Sequence, residues 1–184
     1  MPERLETERL ILQSASTRFA DALTRYYLRN REFFTAFDPT RPASFFTVRA
    51  QRTILREERR RQNADTAYRF YVFRREAPDE IIGIVGLNNI ILGSFRSCYL
   101  SYKLDRAHLN QGYMSEAIEA VVSFAFTRVC LHRIEGNVMP WNRASLRVLE
   151  MCGFVNEGLS PNYLLINGKW EDHVHMVLRN TDME

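Results

Sequence analysis

Three cysteines in 184 residues, Cys98, Cys130 and Cys152, are odd in number and share no CxxC spacing. That argues against a disulfide framework and against a zinc site built on paired thiols. Long apolar runs are missing as well: no window reaches the roughly 18 uncharged residues that a membrane-spanning helix needs. The opening MPERLETERL is charged throughout and lacks the apolar stretch of a secretion signal, so the expected location is cytoplasmic, with no membrane partner. Neither sign of charge dominates. With 25 basic and 22 acidic side chains, the formal charge is a mild +3. There is no GxGxxG and no glycine loop followed by lysine, which weakens dinucleotide and ATP readings. Repeats, low-complexity segments and linkers are absent. A hydrophobic content of 46% over this length suits a single domain, residues 1–184, with a substantial core.

What the chain does carry is patterned hydrophobicity. RLILQ, residues 9–13, reads as a short strand. Ser16 stands where it can cap the next helix, whose Phe19, Ala22, Leu23, Tyr26 and Tyr27 recur at helical spacing. A phenylalanine-rich loop spans residues 30–42, and an arginine-rich helix is expected over residues 45–61. Within it, REERRRQ (56–62) interleaves Glu57 and Glu58 with arginines. It is either a solvated face of Glu–Arg pairs or a contact of Arg56, Arg59, Arg60 and Arg61 with RNA. YRFYVFRR (68–75) and EIIGIVGL (80–87) read as strands joined by a turn at EAPDE, and CYLSYKL (98–104) as another.

The helix after Gly112 carries Ala117, Ala120, Val121, Phe124 and Ala125 on one face. Ile118, Val122 and Phe126 lie on another, so burial on more than one side is expected. RIEGNVM (133–139) is a strand, and a helix through Leu146 and Leu149 stops at Gly153. FVNE begins a further strand, and Asn167-Gly168 is the preferred pair for a type I′ hairpin turn. The sum is an α/β or α+β fold with a mixed sheet.

KLDRAHLNQGYMSEAI runs strand, short turn, helix, and sets the lone Gly112 just ahead of the helix. The first amides of a helix lack intrahelical partners and carry the positive end of its dipole, so they suit a phosphate. A glycine lets a diphosphate approach without a Cβ in the way. A glycine in that place is equally a turn residue, and the segment by itself leaves both readings open.

The segment resembles the pyrophosphate loop of the GNAT acyltransferase superfamily, whose pattern is Arg/Gln-x-x-Gly-x-Gly/Ala. The central glycine is kept, but Leu109 replaces the first residue and Met114 the last. HRIEGNVMPWNRASLRVLEMCGFVNEG (132–158) is similar to a block of the RimJ/RimL branch, with its Asn-x-x-Ser and Gly-Phe-x-x-Glu-Gly elements. NYLLINGKWEDHV (162–174) resembles the terminal hairpin of the RimJ-type ribosomal-protein-alanine N-acetyltransferases. LETERLIL, IIGIVGLNNIILGSFRSCYLSY and NQGYMSEA resemble further stretches of the same group.

That resemblance implies the GNAT fold, a central mixed, mostly antiparallel sheet flanked by helices. It implies acetyl-CoA as donor, no metal, and a primary amine as acceptor, most naturally the N-terminal α-amine of a ribosomal protein. The amides of Gln111, Gly112, Tyr113, Met114 and Ser115 would then cradle the CoA phosphates, and the Leu104 amide and Asn142 would contact CoA. Ser145 would donate toward the leaving thiolate. Many superfamily members carry a tyrosine acid where this chain has Leu149, and some carry a glutamate base where it has Asn137. Asn137 is therefore expected to orient a water, with Glu135, two residues earlier on the same strand face, acting through it. Glu135 as a solvent-facing strand carboxylate is the alternative. Phe33, Phe34, Phe37, Tyr163 and Trp170 come from regions that flank the acceptor cleft in the family. His173 and His175 alternate on one strand without a third metal ligand nearby. Two rival functions stay open: an acetyltransferase for small amines or antibiotics, and a non-catalytic acyl-CoA-binding ribosome-assembly factor.

Overall fold

The computed structural model describes residues 3–184. Among these, eight strands form one sheet: β1 (Arg4–Glu6), β2 (Leu10–Ser14), β3 (Tyr68–Arg74), β4 (Ala77–Ile91), β5 (Ser97–Leu104), β6 (Arg133–Val138), β7 (Val155–Ile166) and β8 (Lys169–Arg179). Their order is β1-β2-β3-β4-β5-β6-β8-β7, antiparallel throughout except between β5 and β6. The helices are α1 (Ala20–Arg29), α2 (Arg31–Phe34), α3 (Val48–Asn63), α4 (Tyr113–Thr127) and α5 (Arg143–Met151). The mixed, mostly antiparallel sheet and its flanking helices are the fold class that the resemblance implies.

Alternation along the strands decides the two layers. Leu10, Leu12, Phe70, Val72, Ile134 and Val138 point to one face, where α4 brings Ala117, Ile118, Val121 and Phe124 and α5 brings Leu149. Ile11, Tyr71, Phe73 and Ile84 point to the other, against Leu23 and Tyr26 of α1, Phe34 of α2 and Leu55 of α3. Each fully buried large apolar side chain contributes about 1.5–3 kcal/mol. α4 is buried on more than one flank, as its apolar spread requires. Arg133, Glu135 and Asn137 alternate with buried Ile134 and Val138, so their side chains emerge on the α1–α3 side.

Several local expectations shift. Ser16 holds the N-cap position of a one-turn 3-10 helix, Thr17–Phe19, but its side chain makes no cap hydrogen bond, and α1 starts only at Ala20. The arginine-rich helix begins at Val48, where the Thr47 hydroxyl accepts from the Ala50 amide at 3.3 Å; Ala43–Phe46 form a separate 3-10 turn. The loop after Asn30 contains the short α2. The β3–β4 turn tightens to Arg75-Glu76, and β4 runs through Pro78. In the charged helix, Glu57 pairs with Arg60 and Arg61 as a surface face would. Glu58 instead turns inward to the Tyr71 hydroxyl and Arg69. The hairpin turn at Asn167-Gly168 has φ of 49° and 83°, the left-handed pair that a type I′ turn demands.

Candidate active site

β5 and β6 run parallel but pair only over Ser97–Tyr99 and Arg133–Glu135. Beyond that the described strands share no ladder, so residues 100–104 and 136–138 bound a wedge in the sheet. Just past β5, the Asp105 amide donates to Ile82 O across β4 at 2.8 Å. Successive amides of a strand alternate sides, so those of Leu104 and Tyr102 point into the wedge.

At the end of β5 the chain turns through a 3-10 segment, Arg106–His108, and Asn110 (φ 59°) and Gly112 (φ 77°) are left-handed. Gly112 occupies the N-cap position of α4 and has no side chain to cap it. The amides of Tyr113, Met114 and Ser115 therefore open the helix uncapped by that residue. Arg9 reaches this loop from the position just before β2. Its Nη1 donates to Gln111 O at 2.9 Å, its Nε meets Glu116 Oε2 at 2.7 Å, and its guanidinium lies 4.6 Å from the centre of the Tyr113 ring. Partial burial pushes the Glu116 carboxyl up, but hydrogen bonds from Thr7 and Arg9 outweigh it and leave the group below its usual value. Where the resemblance expects Arg or Gln the chain has Leu109, and Arg9 brings a guanidinium to the loop from the segment before β2.

Asn142 caps α5, its Oδ1 accepting from the Ser145 amide at 3.2 Å. The Tyr102 hydroxyl is in hydrogen-bond contact with the Ser145 hydroxyl and lies 3.1 Å from Ser145 O, so its one hydrogen serves either oxygen. Burial pushes the Tyr102 phenol far above its ordinary value, so it stays protonated. Tyr102 went unnoticed in the sequence, although strand alternation sets it on the same side as Leu104. Leu149 is fully buried, and its Cδ1 lies 2.9 Å from where a Cβ on Gly136 would stand. The bare Gly136 and the branched Leu149 fill one space, which leaves no room there for a tyrosine ring.

On the opposite face of β6, Glu135 Oε1 lies 2.7 Å from His175 Nδ1, and Arg133 donates to Oε2 at 3.0 Å. Burial pushes the Glu135 carboxyl up, but these two partners more than offset it and hold the group below the usual carboxylate value. A carboxylate so engaged is a weak base, which runs against its expected role of acting through a water. Nor is it the solvent-facing alternative. Asn137 Nδ2 donates to the Tyr163 hydroxyl at 3.3 Å, while its Oδ1 is buried without a partner among the described residues. An unpaired buried carbonyl costs about 1–3 kcal/mol and is open to an N–H from a ligand. A bulge between Ser160 and Leu164 turns Tyr163 over the His173 and His175 rings, at 5.6 and 4.8 Å between centroids.

The expected aromatic wall forms only in part. Phe33 packs on Phe37, and Phe37 stacks on Trp141 at 5.5 Å. Phe34 is instead a core residue against Tyr26, and Trp170 is 57% exposed at the far end of β8, opposite Leu165. The loop is tied to the terminal hairpin by one side chain. Asn167 Oδ1 accepts from the Thr40 amide at 2.8 Å and its hydroxyl at 3.0 Å, while Nδ2 donates to Thr35 O and Asp38 O at 3.3 and 3.2 Å. Beneath it Lys103 forms an ion pair with Asp38. Burial pushes the Cys98 thiol up to about 12 and the Cys152 thiol to about 11, so neither offers a thiolate at neutral pH.

The acetyltransferase (GNAT) domain family matches residues 9–155. The [ribosomal protein uS5]-alanine N-acetyltransferase of Escherichia coli (strain K12) is 35% identical over 97% of this chain and 92% of its own length. The crystal structure of ribosomal-protein-S5-alanine acetyltransferase from Vibrio fischeri superposes with a TM-score of 0.93 at 30% identity, covering 99% of both chains. Mycobacterium smegmatis RimJ in complex with CoA-disulfide shares the fold, with a TM-score of 0.88 at 24% identity over 99% of this chain and 88% of that one.

Proposed function

Because the chain belongs to the GNAT acetyltransferase family, we propose that it transfers the acetyl group of acetyl-CoA to the N-terminal α-amine of a ribosomal protein. The observation that carries this reading is likeness to the uS5-alanine enzymes across nearly the whole chain, the acceptor-side hairpin included.

Acetyl-CoA supplies an activated acyl group; the rest falls to the protein. The amides of Gln111, Gly112, Tyr113, Met114 and Ser115 would hold the diphosphate at the positive end of α4, with Arg9 bracing the loop. Gly112 supplies the left-handed turn that opens these amides, and a Cβ there would come within 3.3 Å of Arg9 Nη2. Leu104 and Asn142 would flank the pantetheine arm. Ser145, backed by the protonated Tyr102, would give a proton to the departing sulfur, a duty that Leu149 cannot perform. On the other face, the Asn137 carbonyl would accept an N–H of the incoming amine and fix the direction of its lone pair. A protein α-amine has an ordinary pKa of about 7.7–8.0, so modest base assistance suffices.

Phe33, Phe37, Trp141 and Tyr163 give the acceptor an apolar wall with a few polar anchors, which suits a peptide N-terminus. Arg56, Arg59, Arg60 and Arg61 stand exposed on α3 as a face for ribosomal RNA, in keeping with work in the cytoplasm beside the ribosome. The test compares kcat/KM for a peptide beginning with alanine against free amines such as spermidine and single amino acids. The peptide is expected to win by a wide margin. Preference for free amines would remove the protein acceptor, and no CoA release with any acceptor would remove the enzyme reading.

A further inference from the structure

We propose that Ser160, His175 and Glu135 form a proton relay on the acceptor face of the sheet, with His175 taking the proton that the acceptor amine releases. The inference rests on the acetyl-transfer reading above and names the group that reading leaves open.

The His175 ring is held at both nitrogens. Nδ1 lies 2.7 Å from Glu135 Oε1, and Nε2 lies 2.8 Å from Ser160 Oγ. An ionised carboxylate only accepts, so the network assigns the ring hydrogen to Nδ1. Nε2 is then a lone pair that takes the Ser160 hydrogen. Arg133 holds the other oxygen of Glu135 at 3.0 Å and reaches on to Glu157 at 2.7 Å, so the carboxylate is fixed before any proton moves. Three strands supply the three members, from β6, β7 and β8, and Ser160, paired with His173, lies diagonal to His175 on the same face of the sheet.

Two further contacts point the relay at the acceptor. Asn137, with its unpaired buried carbonyl, stands across from His175 in the β6–β8 register. The Tyr163 hydroxyl takes a hydrogen bond from Asn137, and the Tyr163 ring meets His175 edge-on. The polar groups facing His175 are thus Glu135 and Asn137 from β6, Ser160 and Tyr163 from β7, and His173 from its own strand. Arg133, Glu157 and Tyr99 form the next layer. His173 is tied through Nδ1 to Glu171 O at 3.0 Å and takes no part.

The proton balance is as follows. As the acceptor nitrogen bonds to the acetyl carbon, one N–H bond breaks and its proton passes to a water. The water gives a proton to Ser160 Oγ, whose own hydrogen moves to His175 Nε2, and the imidazolium rests against Glu135. The sulfur leaves with the electron pair of the broken C–S bond and is protonated from the Ser145 side. Glu135 is a positioning residue in this scheme, since it acts only through the imidazole.

The test is the pH profile of kcat/KM, measured on the full chain with acetyl-CoA and two acceptors, a hexapeptide beginning with alanine and spermidine. Wild-type kcat/KM is expected to rise with pH along an acid limb with a limiting slope of about two, the acceptor amine's own ionisation adding to that of the relay. His175→Gln should reduce the limb to the amine's single slope and fall about 100-fold on the plateau, while CoA titration and Tm stay near wild type. Glu135→Gln should keep the steeper limb and lower the plateau, because the ring is free to turn. A wild-type profile in His175→Gln overturns the relay. If His175→Gln does not fold, Ser160→Ala decides: a clear loss of kcat/KM is expected, and wild-type rates overturn the proposal. Should spermidine give the profile while the peptide is not acetylated, the protein acceptor fails and the relay stands.

Discussion

Replacing Gly112 by alanine separates the conformational from the functional demand at the loop. The residue sits at φ 77° and ψ −1°, where a side chain costs about 1–2 kcal/mol relative to glycine. The added Cβ would come within 3.3 Å of Arg9 Nη2, the mobile end of a flexible side chain that can yield. Gly112→Ala is therefore expected to fold, with Tm lowered by about 2–8 °C at 2–4 °C per kcal/mol. The loop can escape the strain by rotating the peptide at residues 111–112, which turns an amide away from the cradle. A hydrogen bond to a charged group contributes about 1.5–3 kcal/mol, so losing one weakens CoA binding about 10- to 150-fold. Calorimetric titration with CoA, beside thermal scans without ligand, reads both effects. Tm and CoA affinity both at wild-type values would refute the strain and the cradle together.

Other outcomes follow from the same geometry. Leu149→Tyr forces a ring against Gly136 and should cost about 1–3 kcal/mol of stability with no gain in kcat; a faster enzyme at wild-type Tm would contradict this. The folded value of Glu135 lies below its ordinary 4.5. The carboxylate therefore adds stability above that pH and loses it as pH falls through the folded value. The Tm gap between wild type and Glu135→Gln should narrow from pH 7 toward pH 3, and a gap that widens in acid would be the wrong sign. Asn167→Gly keeps the left-handed turn but removes the ties to Thr35, Asp38 and Thr40. It should raise KM for the peptide and leave KM for acetyl-CoA alone; equal changes in both would argue against a role at the acceptor side.

Local chemistry made some of this legible from the residues alone. Gly112 before an apolar helix, Asn167-Gly168 between two β runs and Gly153 after Leu149 each demand a backbone conformation that few other residues accept, and all three are left-handed. Cap positions were harder to read: Ser16 has the right chemistry, yet a 3-10 turn intervenes before α1, and Thr47 caps α3 instead. The site divides in the same way. Asn142 and Ser145 lie on one short motif and their N-cap bond is local. Tyr102, Arg9 and His175 became visible only once distant strands met, because their partners Ser145, Gln111 and Glu135 lie far away in sequence. Spacing shows that Glu135 shares a face with Asn137, but not that His175 and Arg133 already occupy its oxygens.

Incubating the purified chain with acetyl-CoA and ribosomal protein uS5 bearing a free N-terminal alanine, then mapping the product by tandem mass spectrometry, tests the central claim most directly. One acetyl group on the α-nitrogen of residue one, with lysine side chains unmodified, is the predicted result. An unmodified N-terminus, or acetyl groups spread over lysines, would contradict it.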